Sequence, residues 1–288
     1  MDTQLLSAFI AVAETGSFTQ AATRLHLSQP AVSKRIGALE AQIGQALFDR
    51  VGRTVSLTEA ARTLLPYARK ALQEIEDARR ALSQLDGRVG GRLSIGTSHH
   101  IGLHRLPPVL GQFTREFAQV DLDIHFMDSE LACEAVLAGK LELGIVTLPT
   151  EPLASLRQRR VWPDPLIVVV APDHPLARRR QVSPRQLAEH AAVLPDAATY
   201  THRILTHALE REGVRPHVRL ATNYLETLKM LVGIGLGWSV LPESMLDDTL
   251  VRIDVPRLRL RRDLGLVWHE RRTLSGAAQA LMRLLPAG

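Results

Sequence analysis

Phe18-Thr19-Gln20-Ala21-Ala22-Thr23-Arg24-Leu25-His26-Leu27-Ser28-Gln29-Pro30-Ala31-Val32-Ser33-Lys34-Arg35-Ile36-Gly37-Ala38-Leu39-Glu40 reads as two helices around a tight turn. Thr19 to Leu25 carries Ala21 and Ala22 on one face, small enough for close helix packing. His26-Leu27-Ser28 is the turn. Ser28 caps the next helix, and Pro30 sits near its first position, where a missing N–H costs nothing. That helix runs to about Ile43 and stops at Gly44. An earlier helix is signalled by Leu5, Leu6, Phe9, Ile10 and Val12-Ala13 at helical period, and Gly16 ends it. In helix-turn-helix geometry the second helix enters the DNA major groove. Ser28, Gln29, Pro30, Ser33 and Lys34 would then face the groove: Gln pairs with adenine, Lys with guanine, Ser with either. Leu47 to Leu57 shows two apolar stretches around Gly52, a hairpin or wing. Its Arg50 and Arg53 are placed to meet phosphate or the minor groove.

Downstream, Thr58-Glu59 opens a long helix over 59–86. Its Leu65, Ala68, Leu72, Ile75, Leu82 and Leu85 recur in threes, fours and sevens. This seam predicts pairing with a second copy as a homodimer; a helix packed on its own domain would show the same spacing. The charge is consistent with the DNA reading. The net charge is +5, and between residues 24 and 70 Arg24, Lys34, Arg35, Arg50, Arg53, Arg62, Arg69 and Lys70 face only Glu40, Asp49 and Glu59. A solvated basic face would give that excess too. Aromatic content of 4% is low for a single-strand binder that stacks bases. Cys133 is the one cysteine, so no intrachain disulfide forms; its helical setting suits a buried structural thiol. No apolar run reaches ~18 residues and Met1-Asp2-Thr3-Gln4 does not open a signal peptide. The expectation is a cytoplasmic protein with no membrane partner.

Asp86-Gly87-Arg88-Val89-Gly90-Gly91 is a hinge by composition, and beyond it strands alternate with helices. Strands are expected at 93–96, 121–127, 143–146, 166–170, 217–222, 251–255 and 264–268. Helices are expected at 101–117, 130–139, 202–212, 224–234 and 275–285. Leu166-Ile167-Val168-Val169-Val170 has the continuous apolar character of a buried parallel strand, and the alternation implies a mostly parallel sheet. The fold class is α/β overall. Its domains are a mainly α DNA-binding domain at 1–58, a linker helix at 59–86, and an α/β domain at 87–288. The last divides into lobe I (about 92–161 and 267–288) and lobe II (about 162–266).

The quoted stretch closely resembles the signature of the LysR-type transcriptional regulators, as do Gly44-Gln45-Ala46-Leu47-Phe48-Asp49-Arg50 and Leu57-Thr58-Glu59-Ala60. The resemblance covers the whole chain. One departure is Ala61, where the family often has glycine. The resemblance implies a winged helix-turn-helix, a dimerising linker helix and a two-lobed C-terminal module like a periplasmic binding protein. It further implies double-stranded DNA and a small-molecule effector as partners, no enzymatic activity, and a homotetramer built from two dimers.

In open α/β sheets, ligands sit beyond the carboxyl ends of strands, and helix N-termini there favour anions. Thr97-Ser98-His99-His100-Ile101 follows the first strand, Ser129 the second, Thr147 the third. Thr199-Tyr200-Thr201-His202-Arg203 resembles the Thr-Phe-Thr-Gly-Arg stretch of the cysteine-regulon regulators within the family, with His202 in place of glycine. The candidate effector residues are therefore Ser98, His100, Ile101, Ser129, Thr147, Thr199 and Thr201, for a small polar or carboxylate metabolite; the hydroxyls could equally be helix caps. Neutral hydroxyls dominate this set over fixed Arg or Lys. His100 and His104 lie four apart on a helix, but no third ligand is evident, so no metal and no cofactor is expected. Gly233-Ile234-Gly235-Leu236-Gly237 follows a helix and lacks the strand of a dinucleotide fingerprint; it reads as a tight turn near the cleft. No nucleophile elbow, P-loop or paired carboxylates appear. The competing function is a small-molecule enzyme or solute-binding protein whose basic N-terminal region mediates assembly.

Overall fold

The computed structural model describes residues 2–51, 54–85 and 89–286, and the chain divides into two compact units, Met1–Leu82 and Ser83–Gly288. Arg53 and the centre of the expected hinge lie outside the described residues.

In the first unit, α1 (Thr3–Thr15) is capped by Asp2, and α2 (Phe18–Arg24) by Ser17. α3 (Gln29–Ile43) is capped by Ser28, whose hydroxyl accepts the Ala31 N–H at 3.4 Å. The turn between α2 and α3 closes through the Leu27 N–H on the Ala22 carbonyl at 2.9 Å, with His26 at φ 53°. Ala21, Ala22 and Val32 are buried between these helices, and Phe9, Val12, Ile36, Leu39, Leu47 and Phe48 complete the core. β1 (Phe48–Val51) and β2 (Thr54–Leu57) pair antiparallel, the expected wing. α4 (Glu59–Leu85) starts at Thr58, whose hydroxyl accepts the Ala61 N–H at 3.1 Å. Ala61 is fully buried, so the methyl group at the family's glycine position fills core space. Of the seam residues, Ala68 is buried in the unit's own core, with Leu65 and Leu72 packed against it; the side chains of Leu82 and Leu85 lie outside the described residues.

The second unit is organised by two long strands. β6 (Leu156–Val170) and β11 (Leu260–His269) pair antiparallel from Leu156↔His269 to Leu166↔Leu260. Around one end of this ladder, β3 (Gly91–Thr97) lies between β4 (Val120–Phe126) and β5 (Leu143–Thr147), parallel to both, and β5 joins β11 antiparallel. α5 (His99–His104), α6 (Leu106–Glu116), α7 (Ser129–Leu137) and α11 (Gly276–Leu284) cover this lobe. Its cores contain Leu93, Ile95, Phe113, Ile145, Leu264 and Leu281 in one cluster and Ala132, Cys133 and Val136 in another. Around the other end, β9 (Ser239–Pro242) and β10 (Val251–Ile253) flank β6, both antiparallel, and β7 (Ala191–Leu194) pairs parallel with β8 (His217–Ala221). α8 (Pro184–Ala188) and α9 (Tyr200–Glu210) pack here around Val168, Leu194, Leu205 and Trp238, and α10 (Leu225–Gly233) packs against Ile167, Val169, Val193 and Leu241.

Two expectations change. The apolar run 166–170 is buried as expected, but β9, β10 and β11 all run antiparallel to it, so the sheet is mixed rather than mostly parallel. The expected helix over 101–117 is two, broken at Arg105 (φ −118°, ψ −35°). The turn at Gly237 is tight as expected: at φ +154° the backbone packs against the Ala191 carbonyl, where a Cβ would collide.

Candidate functional site

Two surfaces carry candidate chemistry, one in each unit. On α3, Ser28, Gln29, Pro30 and Lys34 are exposed and Ser33 is half-buried, while Val32 and Ile36 hold the opposite face in the core. The exposed start of the helix therefore presents the residue types expected to meet base edges. Nearby cations are engaged internally: Arg24 and Arg69 both pair with Glu14, at 2.7 and 2.9 Å, and Arg35 donates to Gln4 at 2.9 Å. Arg50 belongs to β1. Beside α1, a groove of about 380 Å³ is lined by Gln4, Leu25, Leu27, Arg35, Leu72 and Ile75.

In the second unit a cavity of about 400 Å³ opens between the lobes. Ser98, His100, Ser129, Thr147, Thr199 and Thr201, all expected from sequence, line it. Ile101 does not: it is fully buried in the first lobe's core, and only its N–H contributes, to the Ser98 hydroxyl. Each wall is a set of strand ends and helix starts. α5 and α7 follow β3 and β4 on one side; α9 and α10 follow β7 and β8 on the other.

Most of the hydroxyls hold the frame as well as face the cavity. Ser98 caps α5, and Thr199 caps α9 by accepting the His202 N–H at 3.2 Å. Ser129 accepts the Thr147 N–H at 2.9 Å, tying the start of α7 to the end of β5. Thr201 accepts from Arg262 Nη1 at 2.8 Å. The Ser98, Ser129 and Thr201 hydroxyls only accept in these bonds and keep their own protons for a ligand, whereas the Thr199 hydroxyl already donates to the Asp196 carbonyl at 2.8 Å.

The principal group missed by sequence reasoning is Arg262, on β11 in the cavity wall. Its Nε donates to Asp164 Oδ2 at 2.7 Å, leaving Nη2 outside both of its bonds. Hydroxyls are thus not the whole set; a fixed guanidinium stands among them. No local signal marks an arginine in the middle of a crossing strand. Asn223, Tyr224 and Leu225 were also missed, although the rule applied to the other strand ends would have found them after β8. Asn223 donates to Asp128 Oδ2 at 2.7 Å, bridging the lobes, and Glu130 accepts the Tyr200 N–H. Burial raises the Glu130 carboxyl above its usual range.

His100 is 3% exposed, and neither ring nitrogen has a hydrogen-bond partner among the described residues. Burial, then the Arg262 charge, lowers its pKa to about 4, so the ring is neutral at neutral pH. His104 Nε2 lies 3.0 Å from Glu226 Oε1, across 122 residues of sequence. Cys133 is buried, and burial raises its thiol to about 11.

The fold and these surfaces define a two-part DNA-binding regulator: a winged helix-turn-helix on one unit and a ligand cleft on the other. Residues 3–62 match the bacterial regulatory helix-turn-helix protein, lysR family, and residues 86–288 match the LysR substrate binding domain. The chain belongs to the LysR family of transcriptional regulators. It is 31% identical to the RuBisCO operon transcriptional regulator of Allochromatium vinosum, over 96% of this chain and 92% of that one. It is 67% identical, over 38% of its own length and 75% of the relative's, to an HTH-type regulator from the ibpB-leuC intergenic region of Azotobacter vinelandii. Among solved structures, a full-length OxyR variant from Pseudomonas aeruginosa superposes with a TM-score of 0.71 at 22% identity, covering 99% and 93% of the two chains. CbnR bound to its target DNA superposes with a TM-score of 0.67 at 20% identity, covering 99% of each. These relatives are transcriptional regulators, not enzymes, so the enzyme alternative falls. No described helix is long and apolar enough to cross a membrane.

Proposed function

We propose that this regulator is switched by a small carboxylate effector bound between the lobes of its second unit. The observation that carries the reading is Arg262, a guanidinium held in the wall of a hydroxyl-lined cavity with Nη2 left over. A guanidinium is suited to a carboxylate. The starts of α7, α9 and α10 bring backbone N–H groups to the same space, where the helix dipoles favour an anion. Ser98, His100, Ser129, Thr147, Thr199 and Thr201 supply the remaining polar contacts. Two acidic side chains on the wall already accept internal bonds, Asp128 from Asn223 and Glu130 from Tyr200.

DNA is read by Ser28, Gln29, Pro30, Ser33 and Lys34, with Arg50 and Arg53 on phosphate or the minor groove. The linker helix pairs two copies, and two such dimers form a tetramer acting on chromosomal DNA in the cytoplasm. An effector changes this assembly only if it binds one lobe arrangement better than another. The test is a thermal-shift screen of metabolites on the full chain, followed by calorimetry of each hit and its carboxamide analogue. Expected are a carboxylate hit, an analogue at least about tenfold weaker, and weakened binding in Ser98→Ala and Thr201→Val. Equal affinity for acid and amide, or wild-type affinity in both variants, would remove the effector from this cleft.

A further inference from the structure

We propose that His100, His104 and Glu226 form a site for a divalent transition metal of the zinc class, joining the two lobes beside the cleft. His100 and His104 stand one helical turn apart on α5, their rings 4.8 Å apart between centroids. Glu226 comes from the first turn of α10 on the opposite lobe. One ligand atom from each of the three lies within 4.8 Å of the others, with Glu226 Oε1 at 3.0 Å from His104 Nε2 and 3.9 Å from His100 Nδ1.

The buried ring points to a ligand. His100 is closed to solvent with both nitrogens unpartnered among the described residues. A buried imidazole in that state forfeits its hydrogen bonds, and coordination would satisfy one nitrogen. His104 and Glu226 are roughly half exposed, so each can rotate toward a common centre. Ligand atoms of a tetrahedral ion with bonds of about 2.0–2.1 Å sit roughly 3.3 Å apart, so the 3.0 Å pair would open slightly and the wider separations, none beyond 4.8 Å, would close.

Donor chemistry selects the metal class. Two imidazoles and one carboxylate suit zinc, nickel or cobalt, whereas magnesium and calcium prefer all-oxygen shells. The surrounding charge is mixed: Arg262 opposes a cation here, and Asp164 and Glu226 favour it. Three protein ligands leave a further position open to water or to a ligand donor from the cleft. Two ligands belong to one lobe and the third to the other, so the ion favours the lobe arrangement that brings them together. This site stands whether or not the effector is a carboxylate.

The test uses the full-length chain stripped with chelator, then titrated with zinc sulfate and, separately, cobalt chloride. Expected are one zinc ion per chain and the visible absorption bands of low-symmetry cobalt. His104→Ala and Glu226→Ala should each weaken zinc by at least about tenfold and abolish the cobalt bands. Both residues are at the surface, so folding is retained and circular dichroism checks it. His125→Ala, an exposed histidine paired with Asp123 at 2.9 Å, should change neither readout. Absence of stoichiometric binding to the wild type overturns the proposal, as does unchanged affinity in both ligand variants. Running the carboxylate screen with chelator present keeps this outcome separate from the effector reading.

Discussion

Arg262 and Asp164 face each other across the β6–β11 ladder, Nε to Oδ2 at 2.7 Å, each all but closed to solvent. The pair lies where the two crossing strands pass between the lobes, and Arg105 reaches the other carboxylate oxygen at 3.5 Å. Two charges removed from water are tolerable only while each satisfies the other. Asp164→Ala should therefore cost about 3–5 kcal/mol, because it strands a buried guanidinium. The double variant Asp164→Leu with Arg262→Met should recover most of that loss. Urea denaturation of all three proteins checks this, and equal midpoints for wild type and Asp164→Ala would refute it.

Gln29 stands exposed at the start of α3, with its helix fixed from behind by Val32 and Ile36. Gln29→Ala should cost about 1–3 kcal/mol at the specific operator and little on random DNA. Gel-shift titrations on both DNAs give the ratio. An unchanged ratio would mean that α3 does not read bases through this residue.

Ile75 is half-buried at the groove beside α1, whereas Leu72 already packs on its own unit's core. Ile75→Asp therefore tests pairing with less damage to the fold than a change at Leu72. Charge in an apolar seam should break the linker-helix contact and lower the assembly state seen by sedimentation velocity. A sedimentation profile identical to wild type would reject the seam.

Cys133 is buried and its thiol is raised to about 11, so below that pH it stays protonated and a poor nucleophile. Oxidant sensing through this thiol is therefore not expected. A maleimide reagent at pH 7.5 should label native protein only as fast as it unfolds, and urea-unfolded protein at once. Rapid native labelling would contradict this.

Local chemistry makes much of the protein legible in its sequence. A cap, a turn and a helical period involve residues within a turn or two of one another, so Ser28, Gly16, Gly44 and Thr58 mark their helix ends correctly. Strand-end hydroxyls are legible for the same reason, since a strand followed by a helix locates its own carboxyl end. Arg157-Gln158-Arg159-Arg160 gives no such signal for the first half of β6, because its polar side chains show no apolar alternation. Strand direction is hidden too: Val168 and Val169 are buried whichever way their neighbours run. Only the tertiary fold could bring Arg262 to Asp164, 98 residues apart, and Glu226 to His104, 122 apart. Those pairings depend on strand register and on how two lobes face each other. Register and facing are set by the summed burial of many side chains, and no short stretch of sequence encodes them.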